Sequence, residues 1–373
     1  MKIVFLHNGT RALGGGTNFA LTFSDVLKGM GNQVVIVDQA ETENSLSGAA
    51  KDFYWSAGLY WAADPYWGLR SRPVHFKDIR EIGRYYDLKH IQSTDIKLMQ
   101  VPAHHLGPSG YPPFSEELKN TLDDADVVAT DNEMLTRLPE VSDRWSNLLY
   151  VHFPIGLIPN EDKPWKTVLC NSQFTKRAMA TKWEIDGSVV CYPPLYTEFF
   201  DYSVPMKDRR YDVVIFSRLV GYKMGPFEQL KRKLPDLRFA IVGSAYGWHP
   251  PDGVEVHENA TAEEIASILA NSKIYAHLRG LEDPGDTEHF GISVASAVAS
   301  GCLAMVPSHP SGSLEIPSVL PCDSLSNMVS KVESALENIE AIDTEREDRA
   351  RSMGRFNPAN RMDEFKQILE ICR

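Results

Sequence analysis

No stretch of the 373 residues approaches the ~20 consecutive apolar residues that a membrane-spanning helix needs. Cysteine is scarce: the five thiols at 170, 191, 302, 322 and 372 are scattered, odd in number and form no CxxC pair. They read as reduced, mostly buried thiols of a cytoplasmic protein. Positive charge is in deficit, with 38 Lys and Arg against 50 Asp and Glu and a net charge of −12. That balance argues against a broad nucleic-acid footprint and leaves room for a local basic cleft around a small anion. No small-residue cleavage site follows the first apolar run. Residues 1–6, ending at His7-Asn8-Gly9, therefore read as a β-strand and not a signal peptide. The dinucleotide fingerprint GxGxxG is absent as well.

What is present is ordinary for a globular protein, 43% apolar and 24% charged. The length suits two cores better than one. Residues 3–6 and 34–37 are short, apolar, β-branched runs. Between them lie a glycine loop, Leu13-Gly14-Gly15-Gly16, and a helical pattern on Phe19, Phe23, Val26, Leu27 and Met30, stopped by Gly31. This βαβ unit implies a parallel sheet with right-handed crossovers. Strand candidates recur at 126–130, 148–151 and 167–170, and Asn171-Ser172 offers an N-cap to a helix through Met179. Beyond a polar, aperiodic stretch at 201–210, strands recur at 213–216, 239–242, 254–256, 274–276 and 303–306. Helical segments near 262–270, 292–300 and 324–338 separate the later ones. The expected architecture is α/β: two doubly wound Rossmann-like domains, 1–200 and 201–355. A terminal helix in 356–373 is patterned on Phe365, Ile368, Leu369 and Ile371. Such halves bind ligands in the crevice between them. Residues 41–80 fit neither pattern and hold Phe53, Tyr54, Trp55, Tyr60, Trp61, Tyr66, Trp67 and Phe76. They read as a helical hairpin packed on the first domain, or as a platform for stacking on sugar faces.

Chemistry concentrates in Thr287-Glu288-His289-Phe290-Gly291-Ile292 and the small-residue run 293–301. A carboxylate in a loop can bond a sugar hydroxyl. The free amides of the helix that follows can bind phosphate. Both suit a sugar joined to a nucleotide diphosphate. Gly14 to Gly16 lie after the first strand, where backbone can approach a ligand. Arg218 and Lys223 follow the strand 213–216; taken alone they read as incidental basic residues of a solvated loop, though two cations there can clamp a diphosphate. His152 ends a strand and, taken alone, reads as a histidine bonded to backbone. Asp124-Ala125-Asp126 spells DxD but precedes its strand, at the wrong end of the sheet for a ligand. Glu282, Asp283 and Asp286 form an acidic loop in which spacing fixes no metal-ligand set. His104-His105 lies in a Pro/Gly-rich loop and carries no assignment.

These residues resemble, in order and spacing, the retaining family 4 glycosyltransferases of GT-B fold, over nearly the whole chain. Gly14–Gly16 resembles the family's glycine-rich loop, Asn171-Ser172-Gln173-Phe174-Thr175 its NSxFT element, and Tyr192-Pro193-Pro194-Leu195 its YPPVD segment. Ser217-Arg218-Leu219 with Lys223 is similar to GRL…K, and Ile241-Val242-Gly243 to IVG. Glu288 to Ile292 is similar to EHFGI, and Gly312-Ser313-Leu314-Glu315 to GGPxE. EHFGI and Tyr150-Val151-His152-Phe153-Pro154 most resemble the cytosolic mannosyltransferases of lipid-linked oligosaccharide assembly. The resemblance implies a nucleotide-diphosphate sugar donor held by the C-terminal domain, with no metal or other cofactor. It places Arg218 and Lys223 on the diphosphate and Glu288 on sugar hydroxyls. Amides near Phe290, Gly291 and Ile292 serve the sugar and phosphates, Gly15, Gly16 and Gly243 line the donor site, and His152 lies near the reacting centre. A carbohydrate or lipid-linked acceptor is implied, with peripheral membrane contact left open and nucleic acid disfavoured. The pattern breaks at Ser296, where the family carries a second glutamate for the ribose; its hydroxyl keeps it among the donor-binding residues, bonding ribose more weakly and from a shorter arm. Either the ribose is held differently, or donor affinity is low, or the donor is unusual, or the site is degenerate. The rival functions are a sugar phosphorylase, a transferase acting on modified nucleic-acid bases and a non-catalytic nucleotide-sugar-binding or scaffold protein. The donor base (uracil, guanine or adenine) depends on loops such as 243–248.

Overall fold

A computed structural model describes residues 1–7, 15–39, 88–99, 115–131, 145, 147–152, 165–216, 224–243, 250–258, 260–283 and 285–372. Their strands form two sheets. The first has seven strands: β1 (Lys2–His7), β2 (Gln33–Gln39), β3 (Ile96–Met99), β4 (Val127–Asp131), β5 (Leu148–Val151), β6 (Thr167–Cys170) and β7 (Val189–Val190), ordered β3-β2-β1-β4-β5-β6-β7. The second has six: β8 (Tyr211–Phe216), β9 (Phe239–Val242), β10 (Val254–His257), β11 (Ser272–Ala276), β12 (Leu303–Pro307) and β13 (Leu320–Cys322), ordered β10-β9-β8-β11-β12-β13. Neighbouring strands pair in parallel throughout. Such a sheet is covered on both faces, so its strands are buried end to end, as β4, β5 and β6 are.

Helices fill the crossovers. α1 (Gly15–Gly29) joins β1 to β2 and is followed by Gly31, whose φ of +85° suits a residue without Cβ. The glycine loop is therefore shorter than its sequence suggests, because Gly15 and Gly16 already belong to the helix. α2 (Glu116–Asp123) precedes β4, and α3 (Gln173–Trp183) follows β6, with Ser172 as its N-cap accepting from the Thr175 amide. In the second half come α4 (Met224–Lys233), α5 (Ala262–Ala270), α6 (Ile292–Ala299), α7 (Leu325–Glu337), α8 (Ile339–Thr344), α9 (Arg346–Ser352) and α10 (Met362–Cys372). Among the described residues no helix is long and apolar enough to cross a membrane.

The polar stretch between the sheets is not simply solvated. Arg209 is 1% exposed and donates to the carbonyls of Val204, Ser272 and Ser300. α10 lies against the first sheet. Its Phe365 ring meets Phe23 edge-on at 5.3 Å, Arg361 donates to the Tyr192 carbonyl, and Asn147 donates to the Cys372 carbonyl. The helical pattern holds for Phe365, Ile368 and Leu369, all buried, but Ile371 is 52% exposed and Cys372 takes the inward position. The cause is the 100° step of the helix: position 372 continues the 365–368–369 stripe, whereas 371 falls outside it. All five cysteines are free and buried.

In each sheet the chain direction of winding reverses once, between β1 and β4 and between β8 and β11. In open parallel sheets ligands bind outside the carboxyl ends of the strands at such points. The residues ending β1 and β4 are His7 and Asp131, and the residue following β11 is His277.

Candidate functional site

The two carboxyl edges meet through three residues of β6–α3 and the Glu288 loop. Ser172 is doubly used: its hydroxyl accepts the Thr175 amide and donates to the His289 carbonyl at 2.5 Å. Its neighbour Asn171 donates to the His152 carbonyl at 2.6 Å. His152 on the first half and Glu288 on the second are thus joined by a short chain of bonded groups. Glu315 adds a second tie. Its carboxylate accepts the amides of Gln173 (2.7 Å) and Phe174 (2.5 Å) at the start of α3, and the Tyr192 hydroxyl donates to it at 3.1 Å. An anion there satisfies unpaired helix amides and meets the positive end of the dipole.

Glu288 sits in a tight loop. One oxygen accepts its neighbouring amides at His289 (3.1 Å) and Phe290 (3.5 Å), and the other lies 3.3 Å from Arg279. Arg279 also donates to Asp286 at 2.8 Å, and these carboxylates raise its pKa against the opposing effect of burial. Gly291 is the N-cap of α6 at φ +89°. The Phe290 ring is core, 2% exposed and packed on Tyr192 and Phe356, so what it offers a ligand is backbone. Gly312 is obligatory: a Cβ there would stand 1.7 Å from the His289 carbonyl oxygen, and its own amide donates to the Glu288 carbonyl. Ser296, which stands where the resembled family carries its second glutamate, is 2% exposed, and its hydroxyl donates to the Ile292 carbonyl one turn back.

On the opposite edge, His152 is 8% exposed and its imidazole packs over Gly16 in the first turn of α1. Burial lowers its pKa to about 4; Asp131 opposes that shift and His7 adds to it. His7 bonds Asp131 at 2.6 Å through Nδ1 and the Thr17 hydroxyl at 3.2 Å through Nε2. Sequence reading passed over His7, Thr17, Asp131 and His277. The usable signal was a polar residue at or just past the carboxyl end of an apolar strand beside a reversal of winding.

Gly243 follows β9 at φ +151°, in the range that favours glycine. Arg218, Lys223, Gly14, the loop 244–248, the aromatic segment 41–80 and His104-His105 lie outside the described residues. The DxD is at the amino edge, where Asp124 pairs with the Lys2 ammonium and Asp126 accepts the Lys2 amide. The acidic loop is spent on separate partners: Glu282 on Gln229, Asp283 on the Gly285 amide, Asp286 on Arg279. Among the described residues no three acidic, His or Cys side chains are grouped to hold a metal.

No family model and no curated protein matches this sequence. Solved structures do. HepE of Anabaena, solved with UDP-glucose, is 15% identical over 99% of both chains with a TM-score of 0.65. TarM is 10% identical over 99% of this chain and 98% of its own, with a TM-score of 0.60. An alpha-glucosyltransferase solved with UDP-glucose and abasic DNA is 10% identical over 100% of both chains, with a TM-score of 0.58. At such identities the likeness concerns fold, and it extends over both halves and their connection. The chain has the GT-B fold, two parallel-sheet α/β halves with their carboxyl edges turned to one cleft.

Proposed function

We propose that the protein is a retaining glycosyltransferase that moves a sugar from a nucleotide-diphosphate sugar to an acceptor hydroxyl in glycan or glycolipid synthesis. The observation that carries this reading is the bonded path from His152 through Asn171 and Ser172 to the Glu288 loop, which spans the cleft. Residues 201–355 hold the donor and residues 1–200 the acceptor, with 356–373 strapping the first half. Glu288 bonds sugar hydroxyls, the amides of 290–292 and Gly243 approach the donor, and Arg218 and Lys223 neutralise the departing diphosphate. His152, neutral because buried, presents an uncharged imidazole at the sugar. As the bond to phosphate loosens, the leaving oxygen takes the acceptor proton and the sugar is attacked on the same face. Binding across the cleft excludes water.

The deficit of basic residues and the buried free thiols support a carbohydrate or lipid-linked acceptor in a reducing, cytoplasmic compartment. A second reading, glucosylation of nucleic-acid bases, is favoured only by the likeness to the alpha-glucosyltransferase solved with DNA. Calorimetric titration with UDP, GDP and ADP and their common sugar conjugates, followed by donor-turnover assays, tests the proposal. Binding of one nucleotide family, with turnover lost in Arg218→Ala and Lys223→Ala variants that remain folded, supports it. Binding of none refutes it.

A further inference from the structure

His277 has no part in the reading above, yet it is the most unusual polar group on the donor edge. It follows β11, beside the reversal of winding, and is 6% exposed. Its Nε2 has no hydrogen-bond partner among the described residues, and the nearest carboxylate oxygen, on Glu288, is 3.9 Å away. A buried N–H without an acceptor costs about 1–3 kcal/mol, so its retention calls for a reason.

The other side of the ring is tied. Nδ1 lies 3.3 Å from the Tyr275 hydroxyl, and that hydroxyl lies 2.8 Å from the Ser293 hydroxyl on the first turn of α6. Burial raises the Tyr275 pKa, so the phenol is neutral and has one proton to donate. Burial lowers that of His277, with Glu288 opposing, so the ring is neutral too. Of the two directions in which the line can run, the one with Ser293 donating to Tyr275 and Tyr275 to Nδ1 puts the ring proton on Nε2, facing Glu288. Every member of the line Ser293–Tyr275–His277 is then satisfied except the last.

Glu288 is held away from His277 by Arg279 and by its own loop amides. A movement of its carboxylate by about 1 Å turns the 3.9 Å gap into a hydrogen bond. We propose that His277 is the positioning residue for Glu288: the relay from Ser293 through Tyr275 aims Nε2–H at the carboxylate and fixes its orientation when a donor sugar occupies the cleft. This rests on the glycosyltransferase reading and goes beyond it, by making sugar recognition depend on a residue that touches no substrate.

The experiment compares UDP with UDP-glucose by calorimetry on the full chain, or the GDP or ADP pair if the wild type prefers that base. His277→Phe fills the volume without a donor, His277→Gln returns an N–H near Nε2, and Tyr275→Phe removes the group that sets the tautomer. His277→Phe is expected to weaken UDP-glucose about tenfold and leave UDP unchanged. His277→Gln restores most of the loss, and Tyr275→Phe shows a smaller loss of the same kind. Equal losses for both ligands, or none, overturn the proposal and leave the function intact. Should the substitutions unfold the chain, ¹⁵N-histidine spectra of the wild type decide. Nε2–H as the populated tautomer, with a shift on adding UDP-glucose but not UDP, is expected; Nδ1–H or no sugar-dependent shift overturns the proposal. A wild type that binds no nucleotide or nucleotide sugar overturns the functional reading and this inference together.

Discussion

Glu315→Gln tests whether the tie between the halves is electrostatic. The Glu315 side chain is 15% exposed, so water does little to replace its contacts. It accepts the Gln173 and Phe174 amides at 2.7 and 2.5 Å and the Tyr192 hydroxyl at 3.1 Å. A hydrogen bond to a charged group is worth about 1.5–3 kcal/mol net and a neutral one about 0.5–1.5. A carboxylate at a helix N-terminus adds about 0.3–1 kcal/mol. Glutamine keeps one carbonyl oxygen for one amide and turns its NH2 towards the other. The expected cost is therefore about 2–4 kcal/mol in stability. Urea unfolding followed by circular dichroism measures it, with a lowered midpoint and an unchanged slope. Tyr192→Phe shares a partner with Glu315, so the double variant should show a coupling energy of about 0.5–1.5 kcal/mol. A Glu315→Gln loss below about 0.5 kcal/mol, within the range of an ordinary surface substitution, refutes the reasoning.

Gly312→Ala puts a methyl 1.7 Å from the His289 carbonyl oxygen and must displace the Glu288 loop. Donor binding should fall by at least about tenfold while helicity is retained, as titration and circular dichroism report. His152 has a folded pKa of about 4 against 6.5 when free. Between these values the unfolded chain binds the extra proton, so the contribution of His152 to stability is constant above about pH 6.5 and falls as pH drops towards 4, by up to about 1.4 kcal/mol per pH unit. Denaturation across pH 4–7 should show a shallower slope in His152→Gln, with His7 and Asp131 as the facing charges. Phe365→Ala should cost about 3–5 kcal/mol, whereas Ile371→Lys on the same helix should stay within about 0.5 kcal/mol in the same unfolding assay.

The buried strands were legible because a parallel strand reads as an unbroken apolar run. Residues 148–151, 167–170 and 239–242 coincide with β5, β6 and β9. β3 carries Lys97 inside it, β7 has two residues, and β13 contains Pro321, so none forms such a run. The Glu288 loop was legible through Gly291, which a positive φ requires. The bond of Ser296 to the Ile292 carbonyl was not legible, because spacing along the chain says how far a residue lies from Glu288 but not what its side chain bonds. His277, and the pairing of His7 with Asp131, could not be read because strand order, which brings them to the reversal points, is not written in any local pattern. Glu315 stood in a recognisable segment, but the amides it caps lie 141 and 142 residues away.

The five buried thiols bear on how the molecule can be watched at work. The native fold presents no exposed sulfur to a maleimide. Cysteines introduced at exposed Asp186 in the first half and Glu333 in the second would be the reactive sites on an otherwise silent background. A fluorophore pair attached there would report the separation of the halves directly, without first stripping the chain of its own cysteines.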